Sequence, residues 1–192
     1  MEINYFGKPY SFTHVAAIRR FGNDHDYISR ISIGETIEVI RSRPNAIAVV
    51  PIENTTGGII HDTVDELCQE INLESNIVVK EELELLIRLF LLSKEELDLS
   101  QIRKVYSHEY ALKSSDGWIK ANLPKTVQQE KITSTSEGIL KIQEEEYSCA
   151  IASAEAAKHY GLIQLAEIEV NGKQNITRFF VLGKNGESKL EY

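Results

Sequence analysis

A hydroxyl and a guanidinium stand side by side at Thr177 and Arg178, inside an apolar run formed by Ile176, Phe179, Phe180, Val181 and Leu182. The run predicts a buried strand, because aromatic and β-branched residues in a short block fit a pleated, packed surface. Burying an unpaired guanidinium beside large apolar residues would be very costly. Arg178 therefore faces solvent, pairs with a carboxylate of the core, or binds an anion, and periodicity alone favours the structural readings. A threonine hydroxyl can give or accept a proton-bearing contact, and an arginine fork suits a carboxylate. Hydroxyls recur along the chain: Ser11, Thr13, Thr55, Thr56, Ser107, Ser134, Thr135 and Ser153 all fall where a strand pattern gives way to a helix pattern. Any one of them is a natural helix N-cap. Together with the helix N-termini they describe a site suited to carboxylates.

The elements that must carry these residues alternate. Ile3–Phe6 predicts a strand, residues 7–11 a turn, and Phe12–Phe21 a helix stopped by Gly22 and capped by Ser11 or Thr13. An extended stretch over 27–33 and a helix over 35–43, ended before Pro44, follow. Ala46–Ile52 is wholly apolar and predicts a central strand of a parallel sheet. Glu53–Gly58 reads as a polar, glycine-rich loop before a helix over 60–69. Residues 77–92 form a long extended segment. Beyond it come a strand over 103–106, a helix over 109–122, a strand over 127–132, and a helix over 137–145 with a Ser134–Glu137 capping-box spacing. Cys149–Ala152 is another apolar strand, Ser153 caps a helix over 154–160, and residues 162–170 return extended to an Asn171-Gly172 turn. This alternation predicts an α/β fold. Two crossings predict two lobes, 1–82 with 176–192 and 83–175. They would form a hinged clamshell of mostly parallel sheets with helices on both faces, the strand-to-helix loops lining a cleft between lobes.

With 192 residues, 42% hydrophobic and 26% charged, the chain can bury a sizeable core. A net charge of -8 and a pI near 5.2 argue against a nucleic-acid partner. An anionic ligand would have to be drawn in by local cations and helix N-termini against the overall field. Cys68 and Cys149 have no metal-ligand spacing and make no disulfide framework, so both read as buried, reduced thiols. Met1–Gly7 enters a strand without a secretory pattern. The longest apolar stretch, 83–92, is too short to span a bilayer and carries Glu84 and Arg88. The expectation is a soluble, cytoplasmic protein with no membrane partner. His14, His61 and His159 sit in helical patterns as surface or capping residues, and His108 stands at the rim of the expected cleft. Exposed strand edges and residues 85–92 are candidates for a homo-oligomer contact, although a buried strand explains the latter equally well.

Six segments in order then resemble one family. Gly7-Lys8-Pro9-Tyr10-Ser11-Phe12-Thr13-His14 is similar to a Gly-Pro-x-Gly-Thr-Phe-Ser/Thr turn. Val50-Pro51-Ile52-Glu53-Asn54-Thr55, Tyr106-Ser107-His108-Glu109-Tyr110-Ala111-Leu112, Ser134-Thr135, Ala150-Ile151-Ala152-Ser153 and Asn175-Ile176-Thr177-Arg178-Phe179 complete the set. The chain resembles the catalytic domain of prephenate dehydratases. The resemblance implies a two-lobed fold like the type II periplasmic binding proteins. It also implies a lyase that decarboxylates and dehydrates prephenate to phenylpyruvate, toward phenylalanine. On that resemblance Thr177 protonates the leaving hydroxyl and Arg178 clamps a carboxylate. Asn54, Thr55, Ser107, Ser134 and Thr135 would bind or orient the substrate, and Ser11, Thr13 and Ser153 would line the same loops. Phe179 would pack the substrate ring or, more simply, the core. No metal or organic cofactor is implied. Lys8 stands where the family has proline and Tyr10 where it has glycine; if that glycine has positive φ, Tyr10 is strained there. Neither a regulatory ACT domain nor a chorismate mutase domain, both found in relatives, falls within these residues. The alternatives are a relative acting on arogenate, one that decarboxylates prephenate while keeping its hydroxyl, and a non-catalytic carboxylate-binding module. The retained Thr177 argues against the second, which has no leaving hydroxyl to protonate.

Overall fold

The computed structural model describes residues 1–43, 45–72, 75–132, 135–170 and 174–186. The expected Ser134 cap and the Asn171-Gly172 turn lie outside them. In chain order the elements are β1 (Glu2–Phe6), α1 (Phe12–Phe21), β2 (Asp26–Arg30), α2 (Ile33–Ser42), β3 (Ile47–Asn54), β4 (Gly58–Ile59), α3 (His61–Asn72) and β5 (Ile77–Leu86). They continue with β6 (Leu89–Ser93), a 3-10 turn (Leu99–Gln101), β7 (Lys104–Ser107), α4 (Glu109–Asn122), β8 (Gln128–Lys131) and α5 (Thr135–Glu144). The last are β9 (Ser148–Ala152), α6 (Ala154–Tyr160), β10 (Ile163–Ile168) and β11 (Ile176–Lys184). Contacts divide the chain into two units, Met1–Leu86 with the chain from Ile176 onward, and Ile87–Asn175. β5 stays paired to β11 as far as Leu86 opposite Ile176, so residues 83–86 lie in the first unit rather than the second.

The first unit holds a sheet of order β2-β1-β3-β11-β5, with β4 added to β3. β2, β1 and β3 run parallel, whereas β11 runs antiparallel to both β3 and β5. β3, expected as a central strand of a parallel sheet, is central, but only β1 pairs with it in parallel and β11 pairs in antiparallel. β3 is buried from Ile47 to Val50 because helices cover both faces. Ala48, Val50 and Leu182 pack with Ile33, Ile37 and Ile40 of α2, joined by Leu67 of α3. On the opposite face α1 lies against the sheet, its His14 ring stacked on Tyr5 of β1. The segment expected as a loop over 53–58 is instead the end of β3 and a tight return into β4.

The second unit holds a sheet of order β10-β6-β9-β7-β8. β8, β7 and β9 are parallel; β6 and β10 complete the sheet in antiparallel. α4 and α5 pack on the parallel strands and α6 on β6 and β10. Serine caps open three helices. Ser11, Ser32 and Ser153 accept from the backbone N–H groups of His14, Glu35 and Ala156 at 3.4, 3.0 and 3.1 Å. Glu35 answers Ser32 by accepting from Ile31 N–H at 3.0 Å. α6 ends at Gly161, whose φ of 64° is the left-handed stop that glycine supplies without strain. Of the two thiols Cys149 is buried, and burial pushes it up to about 12; Cys68 is exposed, contrary to the buried reading. Among the described residues no helix is long and apolar enough to cross a membrane.

Because Ile37 is fully buried at the centre of the α2 face, Ile37→Ala should cost roughly 2–5 kcal/mol, read as a lowered urea midpoint with an unchanged m-value.

Candidate active site

Parallel pairing brings the carboxyl ends of β1 and β3 to one edge of the first sheet. Because β11 runs the other way, its first residues lie at that same edge. The pairing of β3 with β11 is not regular. Phe179 is opposite Pro51, but Arg178 is opposite Glu53, so one extra residue of β3 bulges out between them. The bulge shifts the phase of β3 and places Asn54 opposite Thr177. Asn54 Nδ2 then donates to Thr177 Oγ1 at 2.8 Å, and to Ile176 O at 3.3 Å. The amide cannot turn over, because Asn54 Oδ1 accepts from Thr56 N–H at 2.9 Å, Thr56 Oγ1 at 2.6 Å and Gly57 N–H at 2.8 Å. Thr55 closes the corner: its N–H donates to Ile176 O and its Oγ1 accepts from Ile176 N–H, both at 2.9 Å.

This arrangement does something specific to Thr177. An N–H on Oγ1 occupies a lone pair, so the hydroxyl proton must point elsewhere. The same donor stabilises negative charge that grows on the oxygen as its proton leaves. Thr177 is thus a half-buried hydroxyl prepared to donate. The sequence displayed Asn54, Thr55 and Thr177 as candidates. What it obscured was the orienting role of Thr56 and Gly57, although an Asn followed by Thr-Thr-Gly is a signature of an Asx turn.

Arg178 and Phe179 differ from expectation. Side chains alternate along a strand, so Arg178 leaves the sheet on the face opposite Thr177. Its Nε and Nη2 donate to the two carboxylate oxygens of Glu82 at 2.8 and 2.7 Å, and its Nη1 to Glu53 at 2.8 Å. The carboxylates are neither core residues nor fully exposed, each being about two-fifths accessible. Arg178 hydrogen-bonds hold the Glu82 carboxyl below its ordinary value, and Glu82 and then Glu53 raise that of Arg178. The fork expected to clamp a carboxylate is filled here by two carboxylates of the protein itself. Phe179 is 1% exposed and belongs to the core, so it does not present its ring to a ligand.

The turn between β1 and α1 joins the same edge. Tyr10 has φ 64°, the left-handed region in which a side chain is strained. Its N–H donates to His14 Nδ1 at 2.9 Å, which holds the strained peptide in place. His14 is not a surface residue: it is 8% exposed, stacked on Tyr5 at 4.4 Å and edge-on to Tyr27 and Tyr10 at 5.4 and 5.5 Å. Burial lowers its pKa, and an accepting Nδ1 requires the neutral ring. Ser11 caps α1, and Thr13 is buried in that helix's first turn.

In the second unit, parallel pairing brings Ser107 and Ser153 to the carboxyl edge of β7 and β9. Ser107 is buried and donates its proton to Ile151 O at 2.7 Å, which leaves it only acceptor capacity toward a ligand. Ser153 accepts from Ala156 N–H as the α6 cap. Thr135 is the first residue of α5. His108 opens α4, stacked on Tyr110 at 5.9 Å; burial lowers its pKa, as does Lys131, against an opposing effect of Glu109. Of the other histidines, His61 begins α3 exposed and His159 is exposed beside Tyr160. Among the described residues no three His, Cys, Asp or Glu side chains gather as a metal-binding group.

Two α/β units, each gathering hydroxyl residues at the carboxyl edge of its strands, define a protein of the class that binds small molecules at such edges. The prephenate dehydratase family model matches residues 3–187, and the chain belongs to that family. It is 33% identical over 184 residues to the bifunctional chorismate mutase/prephenate dehydratase of Aquifex aeolicus, covering 96% of this chain and 49% of that protein. It is 31% identical over 189 residues to a prephenate dehydratase of Lactococcus lactis, covering 98% and 65%. The crystal structure of the Staphylococcus aureus prephenate dehydratase superposes with a TM-score of 0.81 at 25% identity, over 97% of this chain and 67% of that one. The chain thus spans about half to two thirds of the length of these relatives.

Two consequences of the first turn are measurable. Tyr10→Ala and Tyr10→Gly both remove the ring, but only glycine accepts φ 64° freely, so the glycine variant should be about 1 kcal/mol the more stable by urea unfolding. For His14 the folded pKa lies below the ordinary 6.5, so the unfolded chain binds the extra proton first. Its stabilising contribution is present above 6.5 and is lost as pH falls below that value. His108 titrates in the same sense. His14→Phe should therefore flatten, without abolishing, the decline of the thermal midpoint below pH 6.5.

Proposed function

We propose that this chain is the catalytic part of a prephenate dehydratase, converting prephenate to phenylpyruvate in phenylalanine biosynthesis. Family membership supports the substrate, and the Asn54–Thr177 hydrogen bond supports the chemistry. Prephenate loses its ring carboxylate as carbon dioxide. The electron pair of the broken C–C bond enters the ring and expels the ring hydroxyl from the opposite carbon, which leaves an aromatic product. Hydroxide is a poor leaving group, so a proton must reach it as the C–O bond breaks. Thr177 supplies that proton, so that water departs and the threonine oxygen is left as an incipient alkoxide held by Asn54 Nδ2; solvent then returns the proton. A threonine hydroxyl is a weak acid, so the effect comes from position and from this donor rather than from driving force.

The loop hydroxyls take the substrate-binding part. In the first unit Ser11 and Thr55 stand at the edge that carries Thr177; in the second Ser107 and Ser153 stand at the carboxyl edge of β7 and β9, and Ser134 and Thr135 follow from the family pattern alone. Ser107 acts there as an acceptor, and Ser11 as a donor. A cytoplasmic location fits a biosynthetic reaction on a small dianion. The pool of prephenate is then met by an acidic protein whose attraction for anions must be local.

The test is phenylpyruvate formation from prephenate at neutral pH, with arogenate consumption and non-aromatic products followed in parallel. Thr177→Ala should lower kcat by about two orders of magnitude or more, while Thr177→Ser keeps most of it. Asn54→Asp preserves the Asx turn but offers Thr177 an acceptor, drawing the hydroxyl proton inward; kcat should fall by about a hundredfold with the fold intact. A folded wild type that forms no phenylpyruvate would overturn the reading.

A further inference from the structure

Beyond the bulge, β11 is held to β3 by two ladder pairs, Thr177 with Asn54 and Arg178 with Glu53, and by the Thr55–Ile176 hydrogen bonds. Register is weakly specified where a strand pair is polar on both faces, and a slip of one residue sends every side chain to the other face. Such a slip would take Thr177 away from Asn54. The observation that bears on this is the geometry of the neighbouring guanidinium. Arg178 reaches across three strands, to Glu53 on β3 and to Glu82 on β5. Glu82 is paired in register with Phe180, not with Arg178, so the fork runs diagonally along the sheet. A diagonal, two-toothed contact resists sliding as well as separation, which a contact straight across would not.

The charge around Arg178 opposes the alternative role, a clamp on a substrate carboxylate. Glu84 is its partner in register on β5, which puts its side chain on the same face. One guanidinium is thus set among three carboxylates, Glu53, Glu82 and Glu84. A substrate carboxylate approaching it would meet a local excess of negative charge.

We propose that Glu82 is a positioning residue for Thr177, holding Arg178 together with Glu53 as a brace that fixes the register of β11 beyond the bulge. The role rests on the dehydratase reading above, and Glu82 itself touches no reacting atom. The brace adds, from the far face of the strand, to the Thr55–Ile176 bonds that keep Thr177 opposite Asn54.

The experiment compares wild type, Glu82→Gln and Glu82→Asp by steady-state kinetics on prephenate and by amide hydrogen exchange. Glu82→Gln should lower kcat by about threefold to tenfold, the scale of a slightly displaced acid, with KM unchanged within about twofold. Glu82→Asp, keeping the charge, should recover most of the loss. In the same samples, exchange at Thr55 and Ile176 should quicken by about fivefold or more in Glu82→Gln, while Val181 and Leu182, on the other side of the bulge, stay as in wild type. A fall in KM in Glu82→Gln would mean that Glu82 competes with substrate for Arg178, and would overturn the proposal. Unchanged kcat and unchanged exchange would also overturn it. If wild type does not turn over prephenate, the dehydratase reading falls by itself, and the exchange at Thr55 and Ile176 decides whether the brace exists.

Discussion

The pairing of β3 with β11 is the constraint on which the site depends. These strands come from parts of the chain more than a hundred residues apart, and they meet in antiparallel at the centre of the first sheet. On one side of the bulge their residues alternate into two apolar layers, under α2 and under α1. On the other side the phase is shifted, and polar residues face polar residues: Asn54 meets Thr177, and Glu53 meets Arg178. A regular ladder would have continued the pairing of Val50 with Phe180 by setting Ile52 against Arg178 and Glu53 against Thr177. The single extra residue thus sets a threonine hydroxyl against an orienting amide where an apolar strand pair would have continued.

Polar satisfaction explains why this corner is well defined. Asn54 uses both ends of its amide, three donors on the oxygen and the remaining N–H groups on β11. Each bond removes a rotation that the next would otherwise have to fix, so the hydroxyl of Thr177 is presented in one orientation. The ionic contacts on the other face are individually weak in solvent. Their value lies in geometry, because a planar fork bound to two strands ties three strands together.

The turn before α1 applies another economy of the same kind. A left-handed tyrosine is unfavourable alone, yet its peptide N–H is held by His14 and its ring meets the His14 ring edge-on. His14 in turn is fixed by stacking on Tyr5. A substitution that looks disruptive in the sequence is accommodated by a neutral histidine three residues after the Ser11 cap, buried where a surface residue was expected. Burial is the condition for this, since it keeps the ring neutral and able to accept.

The sequence alone determined the α/β class, most of the order of strands and helices, the Ser11 and Ser153 caps, the Gly22 and Gly161 stops and Thr177 as a chemical candidate, while Asn54 became one only through the family resemblance. Each of these depends on near neighbours: periodicity, capping residues and turn residues act over a few positions. It also carried the strain at Tyr10, because the conformation belongs to a local turn. Only the tertiary structure decided the rest. The partner of Arg178, the buried place of His14, the core position of Phe179, the proton of Ser107 committed to Ile151 and the end of the first unit at Leu86 all follow from pairing between distant segments. A strand's pattern states which residues alternate, but the face each set takes, and what stands across from it, is fixed by a partner strand whose register a bulge can shift by one.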